Sequence, residues 1–238
     1  MGRPRVPDVP VPMSPGPGCS LQDMPPITAH LSISLDGFVA GPNQSEENPL
    51  GVGGMALHRW HLDTPRSDAD QRMTDRILAP RGAYVMGSNM FGPVRGDWGA
   101  SDWRGWWGQD PPYHAPVFVL THYPRDPVPM AGGTSFHFVG DFDSALEQAV
   151  AAAGDQAVTI AGGASAVRQG LQRGVVDEIL LSHIPVVLGA GERLFDGVPE
   201  LRAEPVEVAT SPLATHVVYR FRRAQAVPPD VTGEDPYT

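Results

Sequence analysis

The sequence predicts an α/β fold in which a mostly parallel β-sheet carries helices on both faces. Short runs of apolar and β-branched residues alternate with helical patterns along the chain. Several of these runs lead directly into glycine and small polar residues, as strand-to-helix turns do. No internal repeat is present, and a length of 238 residues suits a single domain.

The composition excludes several classes of function. Seventeen basic residues against 27 acidic ones give a net charge of −10, which opposes binding to phosphate backbones, so we expect no nucleic-acid partner. All 17 basic residues are arginine, which excludes lysine Schiff-base chemistry and a P-loop lysine. Cys19 is the single cysteine, so no intrachain disulfide can form. Without a membrane-length apolar run or a signal peptide, we expect a cytoplasmic protein with no membrane contact.

Three regions differ in character along the chain. Residues 1–26 contain eight prolines and no apolar periodicity, so we predict a flexible leader. Residues 224–238 are predicted to be a flexible tail. Residues 27–223 form the predicted domain.

Eight strands and about four helices are predicted in this domain. The helices begin at Ser67, which has capping-box spacing, at the Gly87 turn, at Phe142 and at the Gly162-Gly163 turn. The first helix is predicted to stop near Gly82. The strands are Ile27 to Leu35, Ala83 to Met86, Val117 to Leu120, Phe136 to Val139, Ala157 to Ala161, Glu178 to Val187, Glu204 to Ala209 and His216 to Phe221. Ser211-Pro212 predicts that the last two form an antiparallel hairpin.

Two strand-to-helix junctions share one design and predict an anion site. Gly87-Ser88-Asn89 follows one apolar strand, and Gly162-Gly163-Ala164-Ser165 follows another. Free amides and the helix dipole at such junctions favour phosphate, and glycine allows it to approach the backbone. We therefore predict that the pair holds a dinucleotide, although either junction alone is equally well explained as a tight turn. Gly189-Ala190-Gly191 is not a Rossmann fingerprint, because Leu194 occupies the place of the third glycine.

Five segments carry a resemblance to a known family: Ser32-Ile33-Ser34-Leu35-Asp36-Gly37-Phe38-Val39-Ala40, Tyr84 to Met90, Leu120-Thr121, Ile160 to Ser165, and His183 to Gly191 followed by Leu194-Phe195. In this order they resemble the dihydrofolate reductase-like proteins, in the branch related to the reductase domain of the riboflavin-pathway bifunctional deaminase-reductase. The resemblance covers roughly residues 27–222. It implies a twisted eight-stranded mixed sheet, mostly parallel, with a C-terminal antiparallel hairpin.

The resemblance also implies an NADPH site, with NADH as the alternative. Val39 and Ala40 would lie beside the nicotinamide. The remaining cofactor residues implied are Gly87, Ser88, Asn89, Met90, Gly162, Gly163, Ala164 and Ser165 at the diphosphate, Thr121 and His122 at the adenosine end, and Leu188 and Gly189. Many relatives have arginine or lysine followed by threonine after the first junction glycine, whereas Ser88-Asn89-Met90 stands here. Arg125 could instead bind a 2′-phosphate with its two-pronged guanidinium.

The implied reaction is hydride transfer to a C=N or C=O group of a small flat compound, with a proton supplied alongside. Asp36 and Asp63 are the candidate proton donors, whereas the helix dipole accounts for Asp68 and Asp70. The predicted substrate-binding residues are Ser34, His58, Trp60, His61, Phe91 and His183. His58, His61 and Asp63 could suggest a metal, but we interpret the histidines as substrate-wall or packing residues and expect no metal.

Two questions stay open at the level of sequence. The connection that contains Trp98, Trp103, Trp106 and Trp107 is interpreted as a lid over the substrate, as a homodimer contact or as a loop that packs on itself. We expect a homodimer. The alternative functions are a standalone 5-amino-6-ribosylaminouracil-type reductase, a dihydrofolate reductase, or a non-catalytic nucleotide-binding or sensor protein.

Overall fold

The computed structural model describes residues 24–93, 96–98 and 101–222. The predicted tail, and the predicted leader up to residue 23, lie outside these residues. The described part of the chain contains eleven strands: β1 (Ile27–Ser34), β2 (Phe38–Ala40), β3 (Ala83–Gly87), β4 (Pro116–Leu120), β5 (Val128–Pro129), β6 (Ser135–Val139), β7 (Val158–Gly162), β8 (Glu178–Ile184), β9 (Glu192–Arg193), β10 (Ala203–Thr210) and β11 (Thr215–Phe221).

The predicted α/β fold is confirmed. The main sheet has the order β10-β11-β8-β1-β7-β3-β4-β6-β5, and the six strands from β8 to β6 are parallel. Strands β10 and β11 form the predicted antiparallel hairpin. Strands β2 and β9 form a separate small sheet.

Two details of the strand prediction are corrected. The main sheet has nine strands rather than eight, because the two-residue β5 at its edge is too short to show apolar alternation. The strand predicted to reach Val187 leaves the sheet after Ile184. Pro185 has no N–H group for the ladder, and the Val186 amide donates to the Ile184 carbonyl instead, at 2.7 Å.

Five helices connect the strands: α1 (Arg59–Leu62), α2 (Asp68–Leu78), α3 (Ser88–Phe91), α4 (Phe142–Ala153) and α5 (Ala164–Gln172). Ser67 caps α2 by accepting from the Asp70 amide, as its spacing predicts. This helix ends at Leu78 and not near Gly82, because Ala79 precedes a proline and takes an extended conformation.

The two faces of the sheet are covered differently. On one face, α4 and α5 enclose a single large apolar core with the inward residues of β1, β3 and β7. On the other face there are two apolar clusters: one around Leu57 and Trp60 over β8 and β11, the other around Phe91 and the tryptophan-rich connection over β3, β4 and β6. Between them, β1 presents a polar row to this second face: Thr28, His30, Ser32 and Ser34.

Candidate active site

The central sheet opens between β1 and β7 at the carboxyl ends of the strands. The two strands pair only from Ile27 to Ala29, whereas β1 stays paired with β8 as far as Ser34. Beyond Ala29, the edge of β1 that faces β7 is therefore free of ladder bonds. Clefts at the carboxyl ends of parallel strands are where α/β folds bind ligands.

The two predicted glycine junctions meet at the carboxyl ends of β3 and β7, and β7 borders this opening. A Cβ atom built on Gly87 would lie 3.7 Å from the backbone nitrogen of Gly163. Gly162, joined to Gly163 by a cis peptide bond, has a φ of +136°, which favours glycine. Around Gly163 there is open space, because a Cβ built there would meet nothing within 4 Å.

The start of α5 leaves backbone donors free at the same place. No side chain caps this helix at Gly163. The Ala166 amide donates to the Gly163 carbonyl at 3.1 Å, which leaves the amides of Ala164 and Ser165 for an anion. Met90 of α3 approaches from the other side, where its sulfur would lie 3.0 Å from a Cβ on Gly162. The structure thus brings together the predicted diphosphate residues of both junctions.

Asn89 is held by the loop that follows β2. Its side-chain amide donates to the Gln44 side-chain oxygen at 3.2 Å. This contact joins α3 to the segment that follows Val39 and Ala40, the two residues predicted to lie beside the nicotinamide.

Asp36 fastens the end of β1 to the segment after β8. Its carboxylate accepts from the Ser34 hydroxyl at 2.6 Å and from the amides of Leu188 and Gly189 at 3.1 and 2.7 Å. These bonds, with the Ser34 bond contributing most, lower the pKa of Asp36 to about 2. Asp36 is therefore ionised at neutral pH and holds no proton for the predicted role of donor.

The amides of Leu188 and Gly189, predicted to serve the cofactor, are bound to Asp36 instead. On the other side of the same turn, the Ser34 hydroxyl oxygen accepts from the Phe38 amide at 2.9 Å, and Arg193 donates to the Asp36 carbonyl at 3.1 Å. We interpret Asp36 as the residue that fixes the two segments flanking the predicted nicotinamide position.

Apart from Ser34, which bonds to Asp36 and to the Phe38 amide, the predicted substrate residues fall into three groups. Trp60 and Phe91 are buried in the two clusters of the second face, and Trp60 donates its indole N–H to Ser32 at 2.9 Å. His58 and His61 lie partly exposed beside Trp60. His183 is separated from them, because it is the register partner of Ile33 and lies on the opposite face.

The second candidate donor lies outside the opening. Asp63 forms an ion pair with Arg59 at 2.9 Å; the Arg59 side chain is largely exposed and the Asp63 side chain is partly exposed. Such exposed pairs contribute little to stability.

The residues predicted at the adenosine end differ in their exposure to solvent. Thr121 is buried at the end of β4 and accepts from the Tyr123 amide, and His122 is exposed. Arg125 packs its guanidinium over the rings of Trp98 and Phe138, at 5.2 and 5.1 Å. It also donates to the Trp103 carbonyl at 3.3 Å, so part of its donor set is used within the protein.

The tryptophan-rich connection packs on its own domain. Trp98 donates to the Tyr123 carbonyl at 2.7 Å and Trp103 to the Phe91 carbonyl at 3.0 Å. Trp107 stacks against Phe136. Of the three interpretations, self-packing is the one that these contacts favour, and the homodimer stays a prediction.

A buried polar chain that the sequence did not reveal lies beneath Trp60. His216 is fully buried; its Nε2 lies 2.9 Å from the Asp70 carboxylate and its Nδ1 lies 2.8 Å from the Ser182 hydroxyl. Burial raises the pKa of Asp70, but hydrogen bonds from His216 and Ser67 outweigh it, so the net pKa is lowered. At the level of sequence, the dipole at the start of α2 explains Asp70. The contact with His216 on β11 shows that Asp70 is also a buried hydrogen-bond partner.

The described residues contain neither a metal-ligand cluster nor a helix that could cross a membrane. In residues 24–93, 96–98 and 101–222, no group of three or more His, Cys, Asp or Glu side chains is arranged to hold a metal ion. Within the same ranges, no helix has both the length and the hydropathy that crossing a bilayer requires.

Comparison with known proteins identifies the family. The model of the RibD C-terminal domain matches residues 25–219. The chain belongs to this family. Membership places the protein among the reductase-type domains related to riboflavin biosynthesis. A search of curated protein sequences finds no match.

Solved structures share the fold. A putative riboflavin biosynthesis protein from Shewanella sp. PV-4 is 18% identical, with a TM-score of 0.56 over 83% of this chain and 99% of that one. A pyrimidine reductase-like protein from Corynebacterium diphtheriae is 14% identical, with a TM-score of 0.51 over 84% and 93%. The Thermotoga maritima diaminohydroxyphosphoribosylaminopyrimidine deaminase/5-amino-6-(5-phosphoribosylamino)uracil reductase is 14% identical, with a TM-score of 0.52. The match covers 84% of this chain and 58% of the Thermotoga protein.

Proposed function

We propose that this protein is an NADPH-dependent reductase that transfers a hydride to a C=N or C=O group of a small, flat heterocyclic or carbonyl compound. The observation that carries the proposal is the meeting of Gly87 and Gly163 at the carboxyl ends of β3 and β7, next to the opening between β1 and β7. Family membership supports a reductase, and the uncapped start of α5 supports a diphosphate at this place.

The residues at the opening fit a nicotinamide dinucleotide. The bare backbone at Gly163 and the amides of Ala164 and Ser165 would hold the diphosphate, and β2 would lie beside the nicotinamide. The cofactor, when bound, supplies the hydride, and the protein supplies orientation and a proton. We prefer NADPH to NADH, because Arg125 retains donors that its contact with the Trp103 carbonyl does not use.

The test begins with binding and continues with turnover. NADPH and NADH are titrated into the purified protein, and NADPH oxidation is then followed with a panel of pterins, pyrimidines, quinones and imines. The panel includes 5-amino-6-(5-phosphoribosylamino)uracil, the compound named for the Thermotoga protein. We expect tighter binding of NADPH and its oxidation by at least one member. Tight binding without oxidation by any member would favour the non-catalytic nucleotide-binding protein instead.

A further inference from the structure

Two of the histidines predicted to bind substrate touch each other beside Trp60. The Nδ1 atom of His58 lies 3.0 Å from the Nε2 atom of His61, and the ring planes are 81° apart. His58 ends the 3-10 turn of residues 54–58, which packs against β1 and β2, the strands beside the opening. His61 lies on α1, three residues after His58. The Arg66 side chain, in the connection after α1, donates to the His61 carbonyl.

Both rings are neutral at physiological pH. Burial and the nearby His61 and His30 lower the pKa of His58 to about 4, and burial and Arg66 lower the pKa of His61. From β1, His30 faces the pair and has its own pKa lowered to about 4, by burial and by Arg81. The charged groups acting on the three imidazoles are thus cationic, and they disfavour an added proton.

A neutral pair of imidazoles has one useful property. Each ring carries one N–H and one lone pair, and the contact between the rings uses one of each. Whichever ring donates, the two outer nitrogens, Nε2 of His58 and Nδ1 of His61, are left as one donor and one acceptor. The donor and the acceptor exchange ends when protons shift along the pair.

We infer that His58 and His61 form a two-imidazole relay that delivers the proton required in each turnover, with His58 at the substrate end and His61 at the solvent end. The inference rests on the proposed function. It also supplies what the two predicted donors do not, since Asp36 is fastened to the segment after β8 and Asp63 is paired with Arg59 on the surface.

The step balances with one hydride and one proton. The substrate carbon gains the hydride, so the C=N or C=O group is reduced while the dihydronicotinamide is oxidised. The neighbouring nitrogen or oxygen takes the Nε2 proton of His58. Nδ1 of His58 takes the proton that His61 holds on Nε2, and Nδ1 of His61 takes one from solvent water. Exchange with solvent restores the starting tautomers after the product leaves.

The experiment compares variants of the full-length protein in single turnover, with NADPH bound and the panel compound that the wild type reduces. We expect His58→Ala and His61→Ala to slow NADPH oxidation by about a hundredfold, the middle of the range for a positioned acid. NADPH affinity should stay within about twofold, and added imidazole should restore part of the rate. His61→Gln, which keeps a hydrogen bond but cannot pass a proton through its side chain, should be as slow as His61→Ala.

His137→Ala provides the matched control. His137 is also partly buried, bonds to Ser135 at 2.9 Å and has a pKa lowered by burial, but it lies on β6, away from the opening. Its removal should leave the rate unchanged, with or without imidazole. Full activity of His58→Ala, or a rate restored by glutamine at position 61, would overturn the relay. A wild type that binds NADPH but oxidises none of it would instead overturn the proposed function, and the relay with it.

Discussion

Replacing Gly163 by valine should weaken cofactor binding by about two orders of magnitude without harming the fold. Gly163 has a φ of −66°, which any residue adopts, and a Cβ there meets nothing within 4 Å. The added side chain would therefore stand in the open space above the strand ends. Gly163→Ala should even stabilise the protein by about 0.4–1 kcal/mol, because the unfolded chain loses freedom.

The loss of binding follows from the bonds that the side chain would block. If the diphosphate accepts two amide hydrogen bonds here, each worth about 1.5 kcal/mol as a bond to a charged group, their loss costs about 3 kcal/mol. That corresponds to a dissociation constant about 150-fold higher than that of the wild type. NADPH titration followed by fluorescence gives the constant, and thermal unfolding of the same samples gives the stability.

Alanine and valine at this position act as a graded pair. Alanine should weaken binding less than valine, while both variants melt at or above the wild-type temperature. Binding of NADPH to Gly163→Val within about threefold of the wild type would refute the reasoning, because the diphosphate would then lie elsewhere.

Three further predictions concern the carboxylates. Asp70→Ala should lower the free energy of unfolding by about 3 kcal/mol, because it leaves Nε2 of the fully buried His216 without a partner. The melting temperature should then fall by about 6–12 °C. Asp68 is exposed in the same helical turn, and Asp68→Ala should change stability by less than about 0.5 kcal/mol. Asp36→Asn should weaken NADPH binding, because it loosens the segment after β8. Asp141 at the start of α4 is also bonded to a serine, and Asp141→Asn should leave NADPH affinity unchanged. Equal effects of the two substitutions on NADPH affinity would contradict a positioning role for Asp36. Folding lowers the pKa of Asp36 from 3.8 to about 2, so its contribution to stability is fully present above pH 4 and is lost as the pH falls towards 2. Urea unfolding should therefore show the difference in unfolding free energy between wild type and Asp36→Asn becoming smaller over that range of pH.

Much of the fold could be predicted because local signals and tertiary structure agree. Apolar runs that end in glycine form β3 and β7. Ser67 caps the start of α2, and Asp141 caps the start of α4. The errors occur where the signal is short: β5 has two residues, and Pro185 ends β8 before its apolar run is finished.

The site was predictable where it depends on backbone and less so where it depends on side-chain partners. Glycine at 87 and 163 marks a close approach of backbone, which a sequence displays directly. The partners of Asp36 lie 152 and 153 residues away, and those of His216 lie 146 and 34 residues away. Only the folded sheet brings such residues together. The sequence therefore does not distinguish the roles of Asp36 in its turn and Asp70 at its helix start.

The most direct test of the central claim is the electron density of a crystal soaked with NADPH. We expect the diphosphate beside Gly87 and Gly163, and the nicotinamide in the opening between β1 and β7 with its reactive carbon facing the side of His58. Density for the cofactor at another surface, or an empty opening at saturating NADPH, would contradict the claim.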